Sequence, residues 1–174
     1  MIRRATVDDA VAIAGVHVRA WRWAYRGIIP DDVLAAMSLP EREEKWREHF
    51  GRDDGAETFV AEEGARVLGF CTIGAARDEG LDGGVGEVQA IYLDEDAAGR
   101  GVGRALLAVA IARLRERGYV RAILWVLEHN PRARRFYEAA GWRPDGAART
   151  TQRPTYERSE LRYAIDLTSA MLEP

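Results

Sequence analysis

Apolar residues along the first fifty positions recur at helical spacing, and the period then changes. Val11, Ala14, Val18 and Trp21 lie three or four residues apart, which predicts one helical face, with Asp8 or Asp9 placed to cap it. A short strand over 2–5 precedes this helix. Arg26-Gly27-Ile28-Ile29-Pro30-Asp31 interrupts the pattern and opens a second, short helix at Pro30 or Asp31. From Pro40 the chain is charged, and Trp46 and Phe50 are its few apolar marks through residue 50. That predicts a helix lying on the surface. Period two then takes over. Residues 57–62 and 66–73 read as a hairpin turning at Glu63-Gly64, and 85–93 as a third strand. A glycine-rich turn at 99–103 feeds an amphipathic helix over 102–117, with Val102, Leu106, Val109 and Ala110 along one face and Gly118 as its stop. Residues 121–127 are apolar enough for a buried strand. Asn130-Pro131 is an N-cap followed by proline at the first helical position, and Gly141 ends that helix. An exit strand starts at Trp142, and a closing edge strand covers 160–167. The order is one strand, three helices, three strands, helix, strand, helix, two strands. It predicts an α/β (α+β) fold with a mixed sheet of about seven strands flanked by helices.

Length and charge narrow the class. The chain has 174 residues, the size of one domain, expected over 1–174. Such a length buries roughly 70% of the unfolded surface without a disulfide or metal staple. Lys+Arg is 25 against Asp+Glu 28, a net charge of -3, which speaks against a general nucleic-acid or membrane-surface binder. All basic residues but Lys45 are arginine, a bias read as GC-rich, bacterial coding. Cys71 is the single cysteine, so no internal disulfide or multi-cysteine zinc site forms, and its apolar strand makes it a small buried hydrophobe rather than a nucleophile. His17, His49 and His129 show no metal-ligand spacing, so no metal is expected. There is no signal-peptide pattern and no apolar run of ~18 residues. The expected location is the cytoplasm.

The chemistry concentrates in Ala98-Gly99-Arg100-Gly101-Val102-Gly103-Arg104. Glycines at alternate positions let the backbone turn so that successive N–H groups face one concavity. The helix that follows adds its positive end and further free N–H groups. Arg100 and Arg104 add mobile positive charge. Together they predict a pyrophosphate cradle. A Walker A loop needs Gly-Lys-Ser/Thr, and Gly101 is followed by Val-Gly-Arg. A Rossmann fingerprint needs Gly or Ala where this chain has Leu106 or Arg104, depending on register. Neither pattern fits.

These residues resemble the acetyl-CoA signature of the GNAT superfamily of N-acetyltransferases, Gln/Arg-x-x-Gly-x-Gly/Ala, with Ala98 departing at its first position. The segment Asn130-Pro-Arg-Ala-Arg-Arg-Phe-Tyr-Glu-Ala-Ala-Gly-Trp is similar to the superfamily's second signature, Asn-x-x-Ala-x-x-Phe-Tyr-x-x-x-Gly-Phe/Trp, at every named position. The resemblance implies transfer of an acetyl group from acetyl-CoA to a primary amine, by direct attack in a ternary complex. The acceptor is a small-molecule or peptide amine, with a small amine, amino acid or antibiotic favoured over a protein N-terminus.

An alkyl ammonium has a pKa near ~10, so a proton must leave before the nitrogen attacks a thioester. The resemblance makes Glu87 the base, through a water, and Tyr137 the acid that meets the departing thiolate. It implies a β-bulge in the strand over 85–93, breaking the parity that would put residues 87, 89, 91 and 93 on one face. The backbone of Ile91, Tyr92 and Leu93 would then face the cofactor arm, with an N–H near Leu93 in an oxyanion-hole role. Gly99, Arg100, Gly101, Val102, Gly103 and Arg104 would hold the pyrophosphate, and Asn130 would cap its helix and bind the arm. Arg132, Arg134 and Arg135 form either a contact for the 3′-phosphate of CoA or a solvated face. Trp21 and Tyr25 are expected to shape the acceptor side, with core packing open for Trp21 and Trp23 unassigned; His129 is a further candidate there. The alternative class is a non-catalytic CoA-binding regulatory domain, to which Ala98 lends weight. The closing strand over 160–167, as an exposed edge, could pair across a homodimer.

Overall fold

The chain folds around one sheet whose helices follow from the local signals above. The computed structural model describes residues 1–168. Strand β1 (Ile2–Arg4) leads through a 3₁₀ turn into α1 (Ala10–Ala24). Asp9 fixes that entry: its carboxylate accepts from the Thr6 amide and from both terminal nitrogens of Arg3, each at 2.8 Å. Pro30 precedes α2 (Asp31–Ala35), and Ser38 caps α3 (Leu39–Phe50) by accepting from the Glu41 amide. Strands β2 (Glu57–Glu63), β3 (Arg66–Ala75) and β4 (Val85–Leu93) follow, then α4 (Val102–Glu116), β5 (Arg121–Leu127), α5 (Pro131–Ala139), β6 (Arg143–Gln152) and β7 (Glu157–Asp166).

Both C-terminal helices stop as the glycines predict. Gly118 at φ +83° and Gly141 at φ +90° take the left-handed conformation. Tyr119 donates back to the Leu114 carbonyl and Trp142 to that of Tyr137, the Schellman closure of a helix end.

The sheet order is β1-β2-β3-β4-β5-β7-β6. Every neighbouring pair is antiparallel except β4 and β5, which α4 connects as a crossover must. Helices α4 and α5 cover one face, packing Leu106, Leu107, Ala110, Leu114 and Tyr137 against Phe59, Cys71, Ile73, Val88 and Leu124. Helices α1 and α3 cover the other, where Ala10, Ile13 and Ala14 meet Val60, Val67 and Phe70. Cys71, on the α4 face, is fully buried as a small hydrophobe, and burial pushes its thiol up to about 12.

Three expectations change. Of the expected α1 face, Ala14 and Val18 are buried but Val11 is half exposed, and the buried stripe also takes in Ala10, Ile13, Val16 and Ala20, because the helix is seated on the sheet one residue round from Val11. Helix α3 is not purely superficial. Its Trp46 is buried among Phe70, His49 and Phe50; one large aromatic suffices to seat an otherwise charged helix. The strand expected to close the sheet as an edge lies inside it. Residues of β7 pair with β5 on one side and β6 on the other, so its backbone is spent and it offers no edge for a dimer. The outer strand is β6.

The corrected α1 face gives a stability prediction. Ile13→Ala should cost about 2–5 kcal/mol, whereas Val11→Ala should stay within about 0.5 kcal/mol, both read by urea denaturation.

Candidate active site

Strands β4 and β5 pair only at Val85↔Arg121, Gly86↔Ala122 and Glu87↔Ile123. Beyond that point β4 keeps its bonds to β3, β5 keeps its bonds to β7, and the two part. A cavity of about 890 Å³ opens between them. Glu87, the last paired residue, stands at the apex.

A bulge sorts what each face of β4 presents. Thr72 pairs with Ala90 and Ile73 with Val88, so Gln89 is the extra residue. Ile91 and Leu93 therefore share the α4 face with Val88. Ala90 and Tyr92 turn to the α1 face, as the alternation after one inserted residue requires.

The far end of β4 is tied down. Trp23 Nε1 donates to the Leu93 carbonyl at 3.1 Å. Asp94, 2% exposed, accepts from Arg19 at 2.8 and 2.9 Å and from Arg66 at 2.9 Å.

On the α4 side the cavity is lined by Ala98, Gly99, Gly101, Gly103, Arg104, Asn130 and Phe136. Gly99 and Gly101 adopt φ +78° and +83°, positions that a side chain would strain. The first intrahelical bond of α4 runs from Ala105 to the Gly101 carbonyl, so the preceding amides of the first turn are free to bind an anion. Asn130 is committed as a cap, its Oδ1 accepting from the Ala133 amide at 3.1 Å. Arg100 departs from its expected place. Its guanidinium pairs with Glu63 at 2.7 Å, away from the cavity wall. Val102 packs into the core beside it.

Tyr137 lies on the wall with Phe136. Its hydroxyl makes no hydrogen bond among the described residues, and burial raises its pKa well above that of a free phenol. It is a protonated donor at neutral pH. Glu87 is 2% exposed and held by Arg77. Oε2 accepts from the Arg77 amide at 3.1 Å and its Nε at 3.0 Å, and Oε1 from Nη2 at 2.6 Å. Oε1 thus retains acceptor capacity toward the cavity.

The α1 face supplies an aromatic wall. Tyr25 and Tyr92 join hydroxyls at 3.0 Å, and burial raises both phenols. Trp21 packs edge-on against Tyr25 at 5.0 Å, and His17 stacks on Tyr92 at 5.0 Å. Trp21 and Tyr25 are therefore wall and packing at once. Arg132 lies 4.0 Å over the Trp23 ring, and Arg134 bonds the Tyr163 hydroxyl. His129 is exposed and absent from the cavity lining.

Several lining residues carried no signal in the sequence. Arg77 and Asp78 come from the loop after β3, Trp125 from β5, Arg149 from β6, and Arg158 and Glu160 from β7. Trp125 donates to Asp78 at 3.0 Å beneath the Arg149 guanidinium, 4.1 Å from the ring. Glu160, 8% exposed, accepts from Arg149 Nε at 2.8 Å through Oε2, which also forms an ion pair with Arg158 at 3.3 Å. Only cross-strand register (Arg149↔Glu160, Trp125↔Arg162) assembles this face.

Among the described residues no cluster of three or more His, Cys, Asp or Glu could hold a metal ion, and no helix is long and apolar enough to cross a membrane.

Residues 17–142 match the acetyltransferase (GNAT) family. The chain belongs to that family. The N-acetyltransferase YuaI of Bacillus subtilis, itself uncharacterised, is 40% identical over 131 residues, covering 75% of this chain and 73% of that protein. A mycothiol acetyltransferase of Thermobispora bispora is 41% identical over 90 residues, half of this chain but only 30% of that protein's length. In structure, the PaiA N-acetyltransferase of Thermoplasma acidophilum, solved with coenzyme A, superposes with a TM-score of 0.77 at 19% identity, covering 95% of this chain and 98% of that one. This GNAT chain is thus an acyltransferase, with the mixed seven-stranded fold of its relatives.

The burial of His17 in the aromatic wall makes this chain's fold acid-sensitive. Burial lowers His17 to about 3, against ~6.5 in an unfolded chain. A group depressed on folding contributes stability that is complete above the unfolded pKa and is lost as pH falls toward the folded one. Stability should therefore fall by up to ~1.4 kcal/mol per pH unit from 6.5 toward 3, with partly buried His49 shifted in the same direction. Melting curves of His17→Gln over this range should show a shallower acid limb.

Proposed function

We propose that this acyltransferase moves an acetyl group from acetyl-CoA to a primary amine of a small molecule or peptide, by direct attack in a ternary complex in the cytoplasm. The observation that carries the reading is the parting of β4 from β5. It puts the glycine cradle, a free phenol and a buried carboxylate around one cavity.

The residues present suit the cofactor. Left-handed glycines at 99 and 101, free first-turn amides of α4 and the Arg104 side chain make a donor set matched to a pyrophosphate. Ala98, where the family prefers Gln or Arg, removes one side-chain donor and leaves the backbone donors intact. Gly103 lets the first turn of α4 pack closely on β4, where a Cβ would sit 3.0 Å from Leu93 Cδ1. The β4 backbone around Ile91, Tyr92 and Leu93, unpaired with β5, supplies groups along the cavity. Acetyl-CoA, when bound, brings an activated acyl carbon and a thiolate leaving group.

Glu87 takes the acceptor's proton through a water at Oε1, and Arg77 fixes that oxygen's direction. Tyr137 donates its Oη proton to the departing sulfur, a role its burial favours by keeping the phenol protonated. Trp21 and Tyr25 bound the acceptor and exclude water. A non-catalytic CoA-binding domain would share the cradle but have no use for a free phenol on the cavity wall.

Two outcomes are expected. Acetyl-CoA or CoA at ~100 times its dissociation constant should stabilise the fold by ~2.7 kcal/mol, raising the melting temperature by roughly 5–10 °C, with no comparable effect of NAD or ATP. Tyr137→Phe should keep that shift and lose roughly 10²-fold or more in turnover, measured as CoA release with an amine panel. A shift without turnover in the unsubstituted protein would sink the enzymatic reading.

A further inference from the structure

Glu87 owes its orientation to one residue. Among the described residues its carboxylate is bonded only by Arg77, once from the amide and twice from the guanidinium. The main chain does little to hold Arg77 there. No main-chain group of residues 77–81 bonds another main-chain group among the described residues. The segment leaving β3 therefore has no ladder to fix it, and side chains must do so.

The next residue supplies the anchor. Asp78 Oδ1 accepts from Trp125 Nε1 at 3.0 Å, and Oδ2 accepts from Arg162 Nη1 at 2.8 Å. Trp125 belongs to β5 and Arg162 to β7, so Asp78 reaches past β4 to the far bank of the cavity. Register makes that reach possible. Glu87 pairs with Ile123 and Trp125 with Arg162, and residues 123 and 125 share a face, so Glu87, Trp125 and Arg162 point to one side of the sheet. The anchor is itself held. Arg162 Nε donates to Asp145 Oδ2 at 2.9 Å, and Arg121 Nη2 donates to the same oxygen at 2.6 Å. The side chains of Asp78, Arg162 and Asp145 are mostly buried, where salt and water screen such bonds little. Two adjacent residues thus grip opposite banks where β4 and β5 part: Arg77 holds β4, and Asp78 holds β5 and β7.

We propose that Asp78 is a positioning residue of the acetyl transfer, acting through Arg77 on Glu87, with Trp125 and Arg162 as its anchors. The two bonds fix residue 78, and the peptide between fixes the Arg77 amide. That amide and its guanidinium set where Glu87 Oε1 points. Without the anchors the segment is free to swing away, and Glu87 loses the donors that hold it at the apex. Misplacing a reacting group by about 1 Å can cost ~10²-fold in rate, so an anchor one residue removed from the base still governs turnover. This deepens the acetyl-transfer reading and rests on it, through Glu87 as the base.

The full chain, saturated with acetyl-CoA, is assayed for CoA release with ethanolamine, L-lysine, putrescine and 2-phenylethylamine, and the fastest acceptor is kept. Asp78→Asn should lower kcat about 10-fold or more, with the acetyl-CoA thermal shift retained and the amine KM within about 2-fold. Trp125→Phe, which removes one bond and leaves the Asp78–Arg162 ion pair, should lower kcat less. In a Glu87→Gln background neither substitution should lower the residual kcat further, because effects that act through one group do not add. Four results overturn the proposal while leaving acetyl transfer intact: a further loss of the same size in that background, full turnover in Glu87→Gln itself, a raised amine KM at unchanged kcat, or no effect of Asp78→Asn. If no amine is turned over, acetyl transfer itself fails, and amide exchange measured by NMR decides whether Asp78 holds Arg77 on Glu87. Exchange of the Arg77 amide about 10-fold faster or more in Asp78→Asn, with the α4 amides unchanged, supports that anchoring. Unchanged exchange at Arg77 overturns it.

Discussion

Backbone amides and carbonyls inside a protein must be paired, and in a sheet the neighbouring strand does the pairing. Strand β4 obeys this toward β3 along its whole length but toward β5 only as far as Glu87. The rest of its edge is held away from β5, which stays committed to β7 through Leu127↔Glu160. Closing the gap would recover hydrogen bonds, so the opening persists only because other contacts restrain both sides. The Gln89 bulge turns β4, Trp23 takes the Leu93 carbonyl, and Arg19 and Arg66 grip Asp94. That edge lines the cavity without a strand partner.

The same bulge divides labour between the faces. Ile91 and Leu93 remain with α4 and its glycine turn, while Tyr92 joins Trp21, Tyr25 and His17 under α1. One face thus carries the glycine turn and the first-turn amides of α4, and the other carries the aromatic wall.

Arginine holds the carboxylates around these faces in place. The near absence of lysine looked like coding bias, yet arginines 19, 66, 77, 149 and 158 each hold a buried carboxylate. A planar guanidinium can bond two oxygens at once, as Arg77 does with Glu87, and can lie on an indole, as Arg149 does on Trp125. Most of these heads remain partly in water, so their value lies in positioning carboxylates more than in net stability.

What the sequence determined was local or nearly so. Period, caps and glycine stops located every helix and strand to within a few residues, because each depends on neighbours within about a turn. Two contiguous motifs, by their resemblance to the family's signatures, pointed to the glycine turn and to Tyr137, and Gly99–Gly103 and 130–142 each form one turn and the helix it starts. The tertiary structure decided the rest. Which face α1 buries, that Trp46 seats α3, and that β7 lies inside the sheet follow from what packs against each element. The Arg77 clamp on Glu87, the Arg100–Glu63 pair and the Arg19–Asp94 pair join residues 10, 37 and 75 positions apart. Chain spacing carries no trace of such pairs, since strand order and register alone bring them together.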